Sequence, residues 1–145
     1  SFQLPPPYLT PAPQLPPIYR TVAGLDPNAV LAEFPFGDPW YELRYMFFAA
    51  SHGRRLMNGY SGVFPASYVA RRERLSDPLT SPAAAGDALG GATHVVIHTR
   101  AWADDTGQRI EAWLESLGAV VVSEEDGATL LALESLRRDA RVAGR

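Results

Sequence analysis

Hydrophobic residues alternate with a period of two along an early segment of the chain. In the segment AVLAEFPF, every second residue is apolar, which is the pattern of a strand that buries one face. The residues on this face are Val30, Ala32, Phe34 and Phe36. The run THVVIHTR and the two halves of AVVVSEEDGATLLAL have the length and β-branched content of further strands. The four predicted strands span residues 29–36, 93–99, 119–124 and 128–134.

Helical periodicity and capping residues predict helices between these strands. After the first strand, Asp38 is a suitable N-cap, Pro39 suits the first helical position and Gly53 is a stop signal, which together predict a helix over residues 39–51. We expect the buried side of this helix to consist of Trp40, Leu43, Phe47 and Ala50. The other predicted helices span residues 18–25, 65–74, 81–91 and 104–117.

The order of the later elements predicts the topology. A strand, a helix and a strand at residues 93–124 form a βαβ unit, so the two strands should be parallel with a right-handed crossover. The last strand should return antiparallel through the EEDG turn. We therefore predict an α/β domain with a mixed four-stranded sheet, in the element order β-α-α-α-β-α-β-β, covered by helices.

Composition divides the chain into a linker, one domain and a tail. Residues 1–17 contain seven of the thirteen prolines, which favours an extended linker without a core of its own. Residues 18–135 have the length of a single α/β domain. Residues 136–145 are predicted to form a polar C-terminal tail.

Charge and the acid and histidine motifs exclude several classes of chemistry. A net charge of −3 gives no general affinity for nucleic acid, and the absence of Cys excludes thiolate sites. On a strand, His94 and His98 lie ~13 Å apart, too far to share one metal ion, so we interpret them as structural. Glu124, Glu125 and Asp126 are interpreted as a hairpin tip. We therefore expect neither a metal site nor a cofactor.

A charged residue within the first strand marks the candidate site. Glu33 lies near the carboxyl end of an apolar strand, where a charge needs a partner, and Arg44 is within reach on the next helix. Ligands of open α/β sheets bind at this edge, and the alternative is that the pair is an internal salt bridge that fixes the following loop. The candidate binding residues are Glu33, Asp38, Arg44, Tyr45, His52, Arg54, Asn58, Tyr60 and Ser61.

The segment 44–68 that supplies most of these residues is predicted to be a structured cap over the end of the first strand. Its aromatic residues are too many for a solvated loop, so several should be buried. Asn58 and Gly59 indicate a turn. We expect His52, Arg54 and Asn58, with the other polar groups, to face outward toward a glycan or a membrane domain.

Several short motifs in the same order resemble one family. The chain resembles the extracytoplasmic C-terminal region of bacterial multi-spanning mannosyltransferase-like (GT-C-type) membrane glycosyltransferases, over residues 16–133. The motifs that carry this resemblance are Glu33-Phe34-Pro35, Arg44-Tyr45-Met46, Asn58 to Gly62 with Pro65, and Thr93 to Val96.

The resemblance implies a fragment of a membrane protein that faces outward. It implies a non-catalytic accessory domain, because the catalytic carboxylate of such transferases belongs to a loop between early membrane helices. Its implied partners are the membrane-spanning portion of the same parent chain and a glycan or lipid-linked sugar. Two alternatives stay open: a freestanding carbohydrate or small-molecule binding module, and a small enzyme that uses Glu33 or Asp38 with His52.

Overall fold

A mixed five-stranded sheet organises the domain in the computed structural model, which describes residues 15–59 and 66–133. The strands are β1 (Val30–Phe34), β2 (Arg55–Leu56), β3 (His94–His98), β4 (Val120–Glu125) and β5 (Ala128–Ala132), in the spatial order β2-β1-β3-β5-β4. β1 runs parallel to both β2 and β3, and β5 runs antiparallel to both β3 and β4.

Helices begin and end where local residues favour it. They are α1 (Pro17–Ala23), α2 (Pro39–His52), α3 (Ala66–Leu75), α4 (Pro82–Ala88) and α5 (Thr106–Ser116), with a 3₁₀ turn at Thr99–Ala101. The predicted ends of α2 are confirmed, because the Asp38 carboxylate accepts the backbone N–H of Trp40 and Gly53 closes the helix at φ +74°. In the described ranges 15–59 and 66–133, none of the helices has the length and hydrophobicity needed to cross a membrane.

The helices cover both faces of the sheet, which makes three layers. Successive residues of a strand point to opposite faces, so β1 directs Phe34 toward α3, α4 and α5 and directs Leu31 toward α1. The first core is the larger one and includes Leu75, Ile110 and Leu131. Glu33 has the same parity as Leu31, so its carboxylate lies in the smaller layer between the sheet and helices α1 and α2.

The predicted α/β class is confirmed, with one additional strand. The additional strand, β2, has only two residues, and such a strand is too short to produce a hydrophobic period. β3 and β4 both pair antiparallel with β5, so they are parallel to each other as predicted, with β5 between them. Helix α1 begins at Pro17, which was predicted to belong to the linker. Residues 1–14 of the predicted linker and the predicted tail, residues 136–145, lie outside the described residues.

The predicted buried side of α2 is wrong. Trp40, Leu43 and Phe47 are 67%, 54% and 57% exposed, and Ala50 is exposed as well. The residues of this helix that are buried instead are Glu42, Tyr45 and His52. Hydrophobicity selects the wrong side because Glu42 accepts hydrogen bonds inside the domain and His52 accepts one at Nδ1, although His52 Nε2 is buried without a partner.

Candidate functional site

A cleft of about 170 Å³ opens where the parallel strands β1 and β3 end. The two strands are in register from Leu31 opposite His94 to Phe34 opposite Ile97, so their carboxyl ends meet at one edge of the sheet. Open α/β sheets bind ligands at this edge. The side chains around the cleft include those of Tyr19, Tyr41, Arg44, Tyr45, His98 and Glu125.

The Glu33 carboxylate forms the buried floor of this region. Its side chain is fully buried, and its Oε1 atom accepts a hydrogen bond from the Tyr19 hydroxyl at 2.7 Å. The same Oε1 atom lies 2.9 Å from His98 Nε2. The second oxygen, Oε2, is buried without a hydrogen-bond partner. A buried carboxylate that is half satisfied is costly to the fold, which is typical of a residue kept for function.

His98 connects the buried Glu33 with the cleft. The His98 side chain is 21% exposed, and its ring stacks on Tyr45 with the ring centroids 5.4 Å apart. Because Nε2 faces the carboxylate, a neutral ring carries its proton on Nε2 and presents Nδ1 as a hydrogen-bond acceptor. The site therefore offers a positioned nitrogen acceptor beside aromatic rings.

Two tyrosines keep their protons at this site. Burial, together with the nearby Glu33 charge, raises the pKa of Tyr19 and of Tyr45 far above the ordinary phenol value. Both hydroxyls therefore act as donors: Tyr19 donates to Glu33, and Tyr45 donates to the carbonyl oxygen of Pro35 at 2.9 Å. These bonds fix the two rings next to His98, at centroid distances of 6.1 Å for Tyr19 and 5.4 Å for Tyr45.

The predicted ion pair between Glu33 and Arg44 is wrong. Glu33 pairs with His98, which lies on the neighbouring parallel strand two residues beyond Val96, the register partner of Glu33. That position shares the face of Glu33 and needs no long side chain to reach it. Arg44 is exposed and lines the cleft with Tyr41, so its guanidinium is available to a ligand.

Of the predicted candidates, Arg44 and Tyr45 line the cleft and Glu33 lies buried beneath it, whereas others have structural positions. Asp38 is exposed at the N-cap of α2, where its carboxylate accepts backbone N–H groups. Arg54 donates through Nη2 to the carbonyl oxygen of Ala23 at 2.8 Å, which ties the end of α2 to α1. Neither residue lines the cleft.

Two further candidates are buried, so the expectation that they face outward is wrong. His52 stacks on the far side of the hydrogen-bonded Tyr19, with ring centroids 5.6 Å apart, and burial lowers its pKa. Asn58 accepts the backbone N–H of Glu33 at 2.7 Å and donates to its carbonyl oxygen at 2.8 Å. Asn58 thus continues the edge of β1 in place of another strand. Tyr60 and Ser61 lie outside the described residues.

Glu42 is a second buried carboxylate that sequence reasoning missed. Its oxygens accept the backbone N–H groups of Gly37 at 2.6 Å and Gly59 at 3.1 Å, with longer contacts of 3.5 Å to Asn58 and Tyr68. Burial raises the pKa of Glu42, although these hydrogen bonds oppose the shift. For the described part of the segment 44–68, this network supports the predicted structural cap.

Sequence reasoning also missed the cleft roles of four residues. They are Tyr19, Tyr41, His98 and Glu125. The alternation in THVVIHTR contained the signal for His98, because His98 falls two residues after Val96 on the same face. This signal identifies His98 as the partner of Glu33 only when the pairing of β1 with β3 is known, because the two residues are 65 positions apart.

Among residues 15–59 and 66–133, no group of three or more His, Asp or Glu side chains is placed to hold a metal ion. Comparison of the chain with protein-family models, curated proteins and solved structures found no match. The chemistry of the cleft itself therefore supports the functional proposal.

Proposed function

We propose that this domain is a non-catalytic glycan-binding module that holds a sugar unit in the cleft at the ends of β1 and β3. The observation that carries the proposal is the buried Glu33. Its carboxylate lies 2.9 Å from His98 Nε2 and so orients the ring of a residue that lines the cleft. Burying this carboxylate costs desolvation free energy, and one of its oxygens has no hydrogen-bond partner, so stability alone does not explain it.

The lining of the cleft matches the chemistry of a sugar. In its neutral form His98 offers Nδ1 to a hydroxyl that donates, and the exposed Arg44 supplies donors for oxygen acceptors. Glu125 adds carboxylate oxygens, and the partly exposed Tyr41 adds an aromatic ring of the kind that packs against sugar rings. The cleft is smaller than the roughly 300–1,000 Å³ of drug-sized sites, which favours one small ring.

The enzyme alternative has less support from the same geometry. Glu33 is fully buried beneath Tyr19 and His98, so its carboxylate cannot touch a ligand in the cleft. His52 lies behind the ring of Tyr19, and Asp38 is engaged at the start of α2. General acid–base catalysis requires direct or water-mediated contact with the reacting group.

The place of the module in a larger protein rests on the resemblance. The motifs shared with mannosyltransferase-like membrane proteins support an accessory domain on the extracytoplasmic face, next to the membrane-spanning portion of the same parent chain. A lipid-linked sugar or a glycan acceptor is then the natural ligand. A freestanding carbohydrate-binding module is the second candidate, and the full-length gene sequence separates the two by the presence of upstream hydrophobic segments.

An NMR titration of the 145-residue chain tests the proposal. Mannose, glucose, galactose and arabinose are added singly, and the imidazole and amide signals are followed. We expect saturable shifts at His98, Tyr41 and Arg44 with at least one sugar, while His94, at the other end of β3, serves as an internal control. Saturable shifts elsewhere, or none with any of the four sugars and their oligosaccharides, would refute glycan binding in this cleft.

A further inference from the structure

The outer side of α2 has an unusual exposed apolar stripe, which we define as Trp40, Leu43 and Phe47. The three positions follow the i, i+3, i+7 spacing of one helix face, and each side chain is more than half exposed. Large apolar side chains that are contiguous and exposed mark an interaction surface more often than a solvated one. The same helix buries Glu42 and His52, so its two sides are reversed relative to an ordinary surface helix.

Charge around the stripe is positive. Arg44 is exposed on α2 between Leu43 and Phe47, and the only carboxylate within the helix, that of Glu42, is buried. Exposed arginines also occur on two of the elements that contact α2, Arg20 on α1 and Arg55 on β2. The chain as a whole has a net charge of −3, whereas α1, α2 and β2 together expose three arginines and, apart from Asp38 at the N-cap of α2, no carboxylate.

We propose that the outer side of α2 docks on an anionic lipid bilayer. Trp, Leu and Phe flanked by Arg is the composition of helices that lie in the membrane interface, where the apolar side chains enter the acyl boundary and cations meet lipid headgroups. A second copy of the chain is a poorer occupant, because a two-fold contact through the stripe would bring two Arg44 guanidinium groups together.

Docking in this way would place the cleft at the level of the headgroups. Tyr41 and Arg44 line the cleft and belong to the same helix as the stripe, so the two surfaces share α2. The ligand class that fits both surfaces is a sugar attached to a lipid. This last step rests on the proposed glycan binding, whereas the docking of α2 on lipid does not.

Vesicle binding by the 145-residue chain tests the docking. The protein is sedimented with phosphatidylcholine vesicles, with and without phosphatidylglycerol, and quenching of tryptophan fluorescence by brominated lipid reports insertion of Trp40. We expect binding that requires the anionic lipid and quenching that Trp40→Phe abolishes, since Trp102 and Trp113 also fluoresce. The double substitution Leu43→Ser and Phe47→Ser should weaken it at least tenfold, and Arg44→Gln should weaken it about fivefold.

A matched control uses the exposed valines of the edge strand β4. Val120→Ser with Val122→Ser removes a comparable exposed apolar surface, 61% and 50% exposed in the native residues, and should leave vesicle binding unchanged. All variants change exposed side chains, and circular dichroism verifies that they fold.

Three results would overturn the proposal: no binding to either vesicle, equal loss in the β4 control, or self-association in sedimentation velocity that the Leu43→Ser and Phe47→Ser protein lacks. The last would assign the stripe to a second copy. Sugar titration without vesicles remains an independent test of the cleft, so failure of docking and failure of glycan binding are distinguishable.

Discussion

Two buried carboxylates, Glu33 and Glu42, lie close together in sequence and have opposite environments. Both are completely removed from solvent. Glu42 receives two backbone N–H groups, one on each oxygen, together with longer contacts from Asn58 and Tyr68. Glu33 receives Tyr19 and His98 on one oxygen, and its other oxygen has no partner.

The difference shows that burial of a charge does not by itself indicate function. Glu42 satisfies N–H groups from two loops that would otherwise be stranded, which explains its presence through stability. Glu33 is incompletely satisfied, and its partner His98 opens on the cleft. We therefore assign Glu42 to the fold and propose that Glu33 positions His98 for the proposed binding site.

The largest effect expected from this comparison is on stability at Glu42. Glu42→Leu preserves volume and strands the N–H groups of Gly37 and Gly59, so it should lower the free energy of unfolding by about 3–5 kcal/mol. Chemical denaturation measures the change. As a control, Glu73→Leu alters an exposed residue of α3 and should stay within about 0.5 kcal/mol. A decrease in unfolding free energy for Glu42→Leu no larger than for Glu73→Leu would contradict the structural role of Glu42.

The two carboxylates also show what the sequence could predict. The apolar period of AVLAEFPF correctly assigned Glu33 to the face opposite Phe34 and marked it as unusual. The hydrophobic pattern could not predict the burial of Glu42. Its partners are backbone N–H groups of turns at Gly37 and Gly59, whose positions depend on the folded chain. The apolar residues of α2 led to the wrong prediction of its buried side, because in the structure they are exposed.

The class of the fold was more predictable than the site. Strand and helix periods and the caps of α2 are local, and they gave the α/β class and most element boundaries. The pairing of Glu33 with His98 depends on β1 lying beside β3, a contact between distant segments. Arg44 was chosen as the partner of Glu33 from proximity in sequence, which the strand pairing overrides.

A second prediction concerns binding and sharpens the role of His98. His98→Asn removes the oriented Nδ1 acceptor, so the affinity for a sugar that shifts the wild-type signals should fall about tenfold, the loss expected for one hydrogen bond. NMR titration gives both dissociation constants. The matched change His94→Asn, at the other end of β3, should leave affinity as it is. Equal losses in the two variants would argue against a specific role for His98.

A smaller effect is expected from pH at Glu42. Because burial raises the pKa of Glu42 in the folded chain, its contribution to stability is fully present below the ordinary value of 4.5 and declines as the pH rises through the raised value. The difference in unfolding free energy between the wild type and Glu42→Gln should therefore narrow as the pH rises from about 4 to 7. Denaturation at several pH values measures it, and a widening difference would mean that the hydrogen bonds dominate over burial.

The most direct test of the central claim is a combined stability and sugar titration of Glu33→Leu. We expect Glu33→Leu to fold and its free energy of unfolding to fall by less than about 2 kcal/mol, because the half-satisfied charge disappears together with the hydrogen bond from Tyr19. We also expect that the sugar-dependent shifts of His98 are lost, since the carboxylate no longer orients the ring. A loss of stability as large as that of Glu42→Leu, or an unchanged titration of His98, would contradict the assignment of Glu33 to the site.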